Sequence, residues 1–169
     1  WSSDVCSSDL VDGVSILICG RNFNQPLDNL PSSLRVLQIG AVQDAFYSAF
    51  SKSLHNLPHG LEELRVYAND NNVISKYLGE YLPSTIKHLY LGCSGELDFN
   101  IVPDSIEELY IHEIKVNLAD VAKMPAKLKL LCCDSSDRRY YDALHLKFPQ
   151  VKVKSVGMDD YWLRLDKFS

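Results

Sequence analysis

Leu30-Pro31-Ser32-Ser33-Leu34-Arg35-Val36-Leu37-Gln38-Ile39-Gly40 is the stretch whose reading decides the fold. It holds a bulky apolar residue, a proline, two small residues, and then the string L-x-x-L-x-I. The last two apolar positions are two residues apart, so on an extended chain their side chains share one face. Proline fixes φ and donates no hydrogen bond. That suits the approach to a strand and not its middle. The stretch therefore predicts a turn followed by a short strand with one apolar face.

The same string recurs along the chain. Leu57-Pro58 precedes Leu61, Leu64 and Val66. Leu82-Pro83 precedes Ile86, Leu89 and Leu91. Val102-Pro103 precedes Ile106, Leu109 and Ile111. Met124-Pro125 precedes Leu128, Leu131 and Cys133. Upstream, Val14, Leu17 and Cys19 fill the same slots, and downstream Phe148-Pro149 with Val151 and Val153 reads as a degenerate last copy. The prolines follow one another at steps of 27, 25, 20, 22 and 24 residues. One such unit cannot bury its own apolar face, but stacked units bury a common core and pair their strands in parallel. The expected fold is α/β: a leucine-rich-repeat-like solenoid, with a parallel β-sheet on the concave face and irregular or helical connections on the convex side.

Two connections carry apolar residues at helical spacing, Ala41 to Phe50 and the stretch holding Val73, Ile74, Tyr77 and Leu78. Asp137 to Lys147 is a third candidate helix, with Tyr140, Tyr141 and Leu144 facing in. The repeat solenoid is expected over 11–156. Residues 157–169, with Tyr161, Trp162, Leu165 and Phe168, read as a terminal cap. Residues 1–10, WSSDVCSSDL, look like a translated sequencing-library adapter, which marks the chain as a fragment.

Composition narrows the function. The 169 residues carry 17 Lys and Arg against 22 Asp and Glu, a formal net charge of -5. Such a chain has no cationic excess with which to meet phosphates, so nucleic acid is not an expected partner. No apolar run is long enough to span a bilayer. Five cysteines are too few for a disulfide scaffold. A cytoplasmic, monomeric protein is the expectation.

In the expected sheet, the residues between the inward ones face outward in rows. One row is Ile18, Gln38, Arg65, Tyr90, Tyr110 and Cys132. The row before it is Ile16, Val36, Glu63, His88, Glu108 and Leu130. The row after it is Gly20, Gly40, Tyr67, Gly92, His112 and Asp134. The centre of this surface would gather Arg65, Tyr67, His88, Tyr90, Tyr110 and His112, which are the candidate partner-binding residues. Tyr and Arg dominate interface hot spots. The competing reading is that the tyrosines only pack across strands.

Glu63, His88 and Glu108 are acceptable metal ligands by type. Side chains in a flat row run parallel, so no metal site is expected. The sequence has no phosphate loop, nucleophile elbow or H-E-x-x-H motif. Gly92-Cys93-Ser94-Gly95 reads as a loop after a strand, and nothing marks Cys93 or Ser94 as activated. No catalytic residue and no cofactor is expected.

Phe23-Asn24-Gln25-Pro26-Leu27, followed by Leu30-Pro31-Ser32-Ser33-Leu34, Leu37, Ile39 and Gly40, resembles the FNIP repeat family, a divergent branch of the leucine-rich repeats. Phe99-Asn100-Ile101 ahead of Val102-Pro103 echoes it. The shared frame covers about residues 14–134, although the long insert at 41–56 departs from the FNIP period. The resemblance implies a protein-interaction module binding its partner on the concave face. It also implies the substrate-recognition part of an F-box-type ubiquitin-ligase receptor. The alternative is a secreted or effector-type leucine-rich-repeat protein that binds a glycan or a host protein.

Overall fold

The computed structural model describes residues 13–40, 49–68, 82–115, 123–133 and 138–155. Among the described residues, seven strands run in chain order through one sheet: β1 (Ile16–Cys19), β2 (Val36–Ile39), β3 (Glu63–Tyr67), β4 (His88–Glu96), β5 (Glu108–Lys115), β6 (Leu130–Cys133) and β7 (Lys152–Ser155). Every neighbouring pair is parallel. The chain is a leucine-rich-repeat-like solenoid, with little helix among the described residues.

The proline is where each layer begins. Its carbonyl accepts a hydrogen bond from the amide three residues on: Leu34 to Pro31 (3.0 Å), Leu61 to Pro58 (3.0 Å), Ile86 to Pro83 (3.1 Å), Ile106 to Pro103 (3.2 Å) and Leu128 to Pro125 (3.0 Å). Each is a β-turn closed on the first inward residue, which the turn drops into the core. Leu34, Leu61, Ile86 and Ile106 are fully buried. The L-x-L pair that follows continues the spine. Leu37, Leu64, Leu89, Leu109 and Leu131 lie in one register and are all inaccessible. Each such side chain contributes about 1.5–3 kcal/mol before chain entropy.

The last layer is offset. Its turn closes on Val151, whose amide donates to the carbonyl of Phe148 rather than of Pro149 (3.0 Å). Val151 is buried one register position later than its counterparts, while Val153 lies opposite Leu131 in the usual row.

The back of the core is built by a second apolar frame. Phe23, Leu27, Leu30 and Pro31 are matched 27 positions later by Phe50, Leu54, Leu57 and Pro58. Phe23 and Phe50 stack with centroids 6.2 Å apart and planes at 12°. Asn24 Oδ1 accepts from both the amide (2.9 Å) and the hydroxyl (3.2 Å) of Ser51, tying the layers together. The expected helix at Ala41 to Phe50 falls on residues outside the description up to 48. Ala49 and Phe50 themselves are not helical; Ala49 donates to the carbonyl of Arg21 and Phe50 is buried. The expected helix around Val73 to Leu78 and the cap at 157–169 lie outside the described residues.

The third expected helix forms as α1 (Arg138–Lys147). Leu144 is fully buried in the core, and the Tyr141 hydroxyl donates to the carbonyl of Cys133 (2.6 Å), fixing the helix to the end of β6. His145 and Lys147 sit in its last turn, where cations suit the helix dipole. Between β4 and β5 a 3-10 turn, Phe99–Ile101, sinks Phe99 into the core. Asp98 caps it by accepting from the Asn100 amide (2.8 Å).

One sequence expectation is corrected here. Gly92 to Gly95 is not a loop after a strand but the interior of β4. The ladder to β5 resumes there with one extra residue on the β4 side, as Gly92 pairs with His112 and Gly95 with Ile114. A β-bulge absorbs the surplus residue without ending the strand.

Candidate functional site

The outward rows line up as the repeat frame requires. Ile16, Val36, Glu63, His88, Glu108, Leu130 and Lys152 are successive partners across the sheet, as are Ile18, Gln38, Arg65, Tyr90, Tyr110, Cys132 and Lys154. Strands about 4.8 Å apart bring planar groups in one row to stacking distance. Tyr90 and Tyr110 stack face to face, with centroids 4.4 Å apart and planes at 9°. The Arg65 guanidinium lies over the other side of Tyr90, 4.8 Å from its centroid. Glu63 holds Arg65 in place by accepting from its Nε at 2.5 Å. On the far side the Tyr110 hydroxyl donates to Glu108 Oε2 (3.2 Å), which also lies 3.5 Å from His88 Nδ1.

Six side chains thus form one chain of contacts over β3, β4 and β5: Glu63, Arg65, Tyr90, Tyr110, Glu108 and His88. Its centre is closed to solvent. Arg65 is 4% exposed, Tyr90 8% and Tyr110 5%. Tyr90, Tyr110, Leu130 and Cys132 form a second apolar cluster on the outward side of the sheet. The accessible ends are His88 and Glu108, with side chains 36% and 27% exposed. Both faces of the Tyr90 ring are occupied, one by Arg65 and one by Tyr110, so it has no open face on which a sugar ring could stack.

Tyr67 and His112 flank Gly92 in the next row and are buried as well. The Tyr67 ring lies directly over Gly92, where a Cβ would fall 2.5 Å from its Cδ1. Burial pushes the Tyr67 phenol well above its ordinary range, so it stays neutral. All six candidate residues are therefore brought to one region. Five pack as part of the sheet, and His88 alone keeps substantial exposure. Among the described residues, no group of three His, Cys, Asp or Glu side chains is placed to hold a metal. Cys19, Cys132 and Cys133 are buried, and burial raises the Cys19 thiol to about 11.

A feature not foreseen from the sequence lies beside the rows, at the residue after each first inward position. Arg35, Glu62, Lys87, Glu107 and Lys129 alternate in sign from layer to layer. Glu62 lies 3.9 Å from Arg35 and 3.6 Å from Lys87, and Glu107 accepts from Lys129 at 2.5 Å. Arg35, Glu62, Lys87 and Glu107 also line an open polar groove of about 280 Å³. The signal was available in the fixed place of these residues within the L-x-x-L frame. Short polar side chains in the turns add cross-layer ties. Ser33 Oγ donates to the carbonyl of Val14 (2.9 Å), and Asp104 Oδ1 accepts from the amide of Ala126 (3.0 Å).

No protein-family model matches the chain, and no curated protein matches its sequence. Among solved structures, the crystal structure of CroV588, described as a novel circular LRR protein, matches 73% of this chain with a TM-score of 0.56 and 21% sequence identity. The matched stretch is 18% of that chain, so the protein described here spans a small part of its length. The likeness shows the fold, a leucine-rich-repeat-like solenoid.

Proposed function

We propose, from this leucine-rich-repeat-like solenoid, that the chain is a non-enzymatic protein-interaction module that engages a protein partner on the concave face of its sheet. The observation that carries the reading is the preorganised network ending in His88 and Glu108. Arg65, Tyr90 and Tyr110 are locked by stacking, and the accessible imidazole and carboxylate are held in a fixed relation above them. A partner gains from contacts whose ordering cost is met before it arrives. The buried tyrosines and Arg65 supply rigidity, and Tyr67 and His112 extend that floor. The occupied ring faces favour a protein partner over a glycan. Within the leucine-rich repeats we assign the chain to the FNIP type. The recurrence of Phe-x-x-x-Leu-x-x-Leu-Pro at Phe23 and Phe50 supports that assignment. Substrate recognition for an F-box-type ubiquitin-ligase receptor follows from the family resemblance alone, and the cytoplasm is the setting it implies.

The test must spare the floor. Removing Arg65 would strand a buried carboxylate at a cost of about 3–5 kcal/mol, and truncating Tyr90 would open the sheet. The informative variant is His88→Glu with Glu108→Lys, which inverts the accessible chemistry and leaves the stack. The wild-type chain should capture a protein saturably, and the double variant should lose that capture with an unchanged thermal melt. Equal capture by both would refute the concave reading, as would loss of capture in the off-face control Lys129→Glu.

A further inference from the structure

The turn edge of the solenoid carries a row whose charge alternates at the layer pitch. Arg35, Glu62, Lys87, Glu107 and Lys129 each follow the first inward residue of their layer. Main-chain hydrogen bonds join them one to the next. The amide of Glu62 donates to the carbonyl of Arg35 (2.8 Å), that of Lys87 to Glu62 (2.8 Å), that of Glu107 to Lys87 (2.8 Å) and that of Lys129 to Glu107 (2.9 Å). The row is therefore as regular as the sheet, and its step is the strand spacing of about 4.8 Å. The turns that carry it, 31–35, 58–62, 83–87, 103–107 and 125–129, all lie among the described residues.

The side chains of this row can still take partners from outside. Arg35, Glu62 and Lys87 each keep about half of their side-chain surface open. Glu62 lies 3.9 Å from Arg35 and 3.6 Å from Lys87. Both separations are longer than hydrogen bonds, so the carboxylate can accept a further donor and the Lys87 ammonium can donate to a further acceptor. Arg35 Nη1 donates to the carbonyls of Ser32 (3.3 Å) and Gly60 (3.2 Å), which fixes the charge at the head of the row. The four members that line the open groove, Arg35, Glu62, Lys87 and Glu107, run plus, minus, plus, minus. Their midpoint lies between Glu62 and Lys87.

We propose that this row is a homotypic docking surface, on which a second copy of the chain lies with its layers stacked in the opposite direction, related by a two-fold axis between Glu62 and Lys87. Glu62 then meets Lys87 of the second copy, and Arg35 meets Glu107 of the second copy. The two-fold repeats both contacts, so four ion pairs form. The pitch selects the occupant. A helix presents neighbouring side chains on one face about 5–6 Å apart, and a strand about 6.6–6.8 Å apart. Over the three steps from Arg35 to Glu107 either would slip out of phase, the strand by about 6 Å, which is more than a layer. Another stack of these same layers has the same step and stays in phase. The charge order selects the direction. Two stacks running the same way about a two-fold would set each charge against its own copy, like on like. Running oppositely about the midpoint, each of the four faces its opposite. An isologous contact of this kind closes at two copies. The inference departs from the monomer expected from sequence and does not depend on the concave-face reading.

Four layers of part-exposed ion pairs make a small contact, which belongs among weak, salt-sensitive interfaces. Sedimentation velocity of the full chain from about 10 µM to about 500 µM spans the affinities of such contacts. At about 20 mM NaCl the wild type should shift from monomer to dimer over that range. At about 1 M NaCl, where the screening length falls to about 3 Å, it should stay monomeric. Glu62→Lys and Lys87→Glu each set like charges across the axis, so each variant alone should stay monomeric with unchanged circular dichroism. Mixed in equal amounts the two should dimerise, because the cation introduced at position 62 faces the anion introduced at position 87. Lys129→Glu lies outside the four pairs and should dimerise like the wild type. A wild type that stays monomeric at the highest concentration in low salt would overturn the proposal, as would a dimer that persists at about 1 M NaCl. Single variants that dimerise alone, a mixture that does not, or loss of the dimer in Lys129→Glu would overturn it equally.

Discussion

Gly92→Ala is the sharpest probe of how the outward face is held. Gly92 lies mid-strand, opposite Tyr67, and its backbone is in a region open to any residue. Alanine there would ordinarily help, because glycine in a strand interior costs about 0.5–1 kcal/mol. The structure reverses that expectation. The new methyl carbon would fall 2.5 Å from Tyr67 Cδ1 and 3.2 Å from its Cε1. The ring must move by about 1 Å to restore contact distance, and it is 2% exposed with little room to do so. Overpacking of this kind costs about 1–3 kcal/mol. Set against the backbone gain, the net loss centres on about 1.2 kcal/mol, or about 2–5 °C in Tm for a chain of this size. Thermal melts of wild type, Gly92→Ala, Tyr67→Ala and the double variant form a cycle that isolates the clash. With Tyr67 removed, Gly92→Ala should become neutral or stabilising by about 0.5 kcal/mol. If Gly92→Ala has the same effect in both backgrounds, the ring does not rest on the glycine and the account of this face is wrong.

Two further outcomes follow from the charged turn edge. Glu62→Lys would set three cations side by side on adjacent layers, in place of an anion shared by Arg35 and Lys87. These groups are half-exposed, so Tm should fall by only about 1–3 °C at low salt and recover in about 1 M NaCl; a fall that salt leaves untouched would mean the ladder is not electrostatic. Asp104 is held below its ordinary value by Lys123 and the Ala126 amide, and Glu107 below its own chiefly by Lys129. A carboxyl depressed in the folded state stabilises the protein above its unfolded value and loses that contribution as pH falls through the folded one. Asp104→Asn should therefore lower Tm at pH 7 and matter little near pH 2; an equal effect at both would show that the lost interaction was not ionic.

Much of this architecture is legible in the residues themselves. The turn at each proline, the inward pairs and the outward rows follow from one recurring string, because a side-chain period of two leaves a short strand one way to face a common core. Leu37, Leu64, Leu89 and Leu109 had to share a row once their layers stacked, and Arg65, Tyr90 and Tyr110 then had to be neighbours. The helix at Arg138–Lys147 was readable from its apolar spacing. The strand character of Gly92 to Gly95 was not, since two glycines and a serine carry turn propensity and only pairing with β5 overrides it.

Sequence alone therefore determined the register, because burying one face of every layer admits a single alignment. Tertiary structure decided which aligned residues remain reachable. Tyr90 disappears between Arg65 and Tyr110, Tyr67 folds onto Gly92, and His88 and Glu108 stay partly open. Exposure depends on what lies alongside a residue in three dimensions, and the repeat string specifies a residue's direction without specifying its cover.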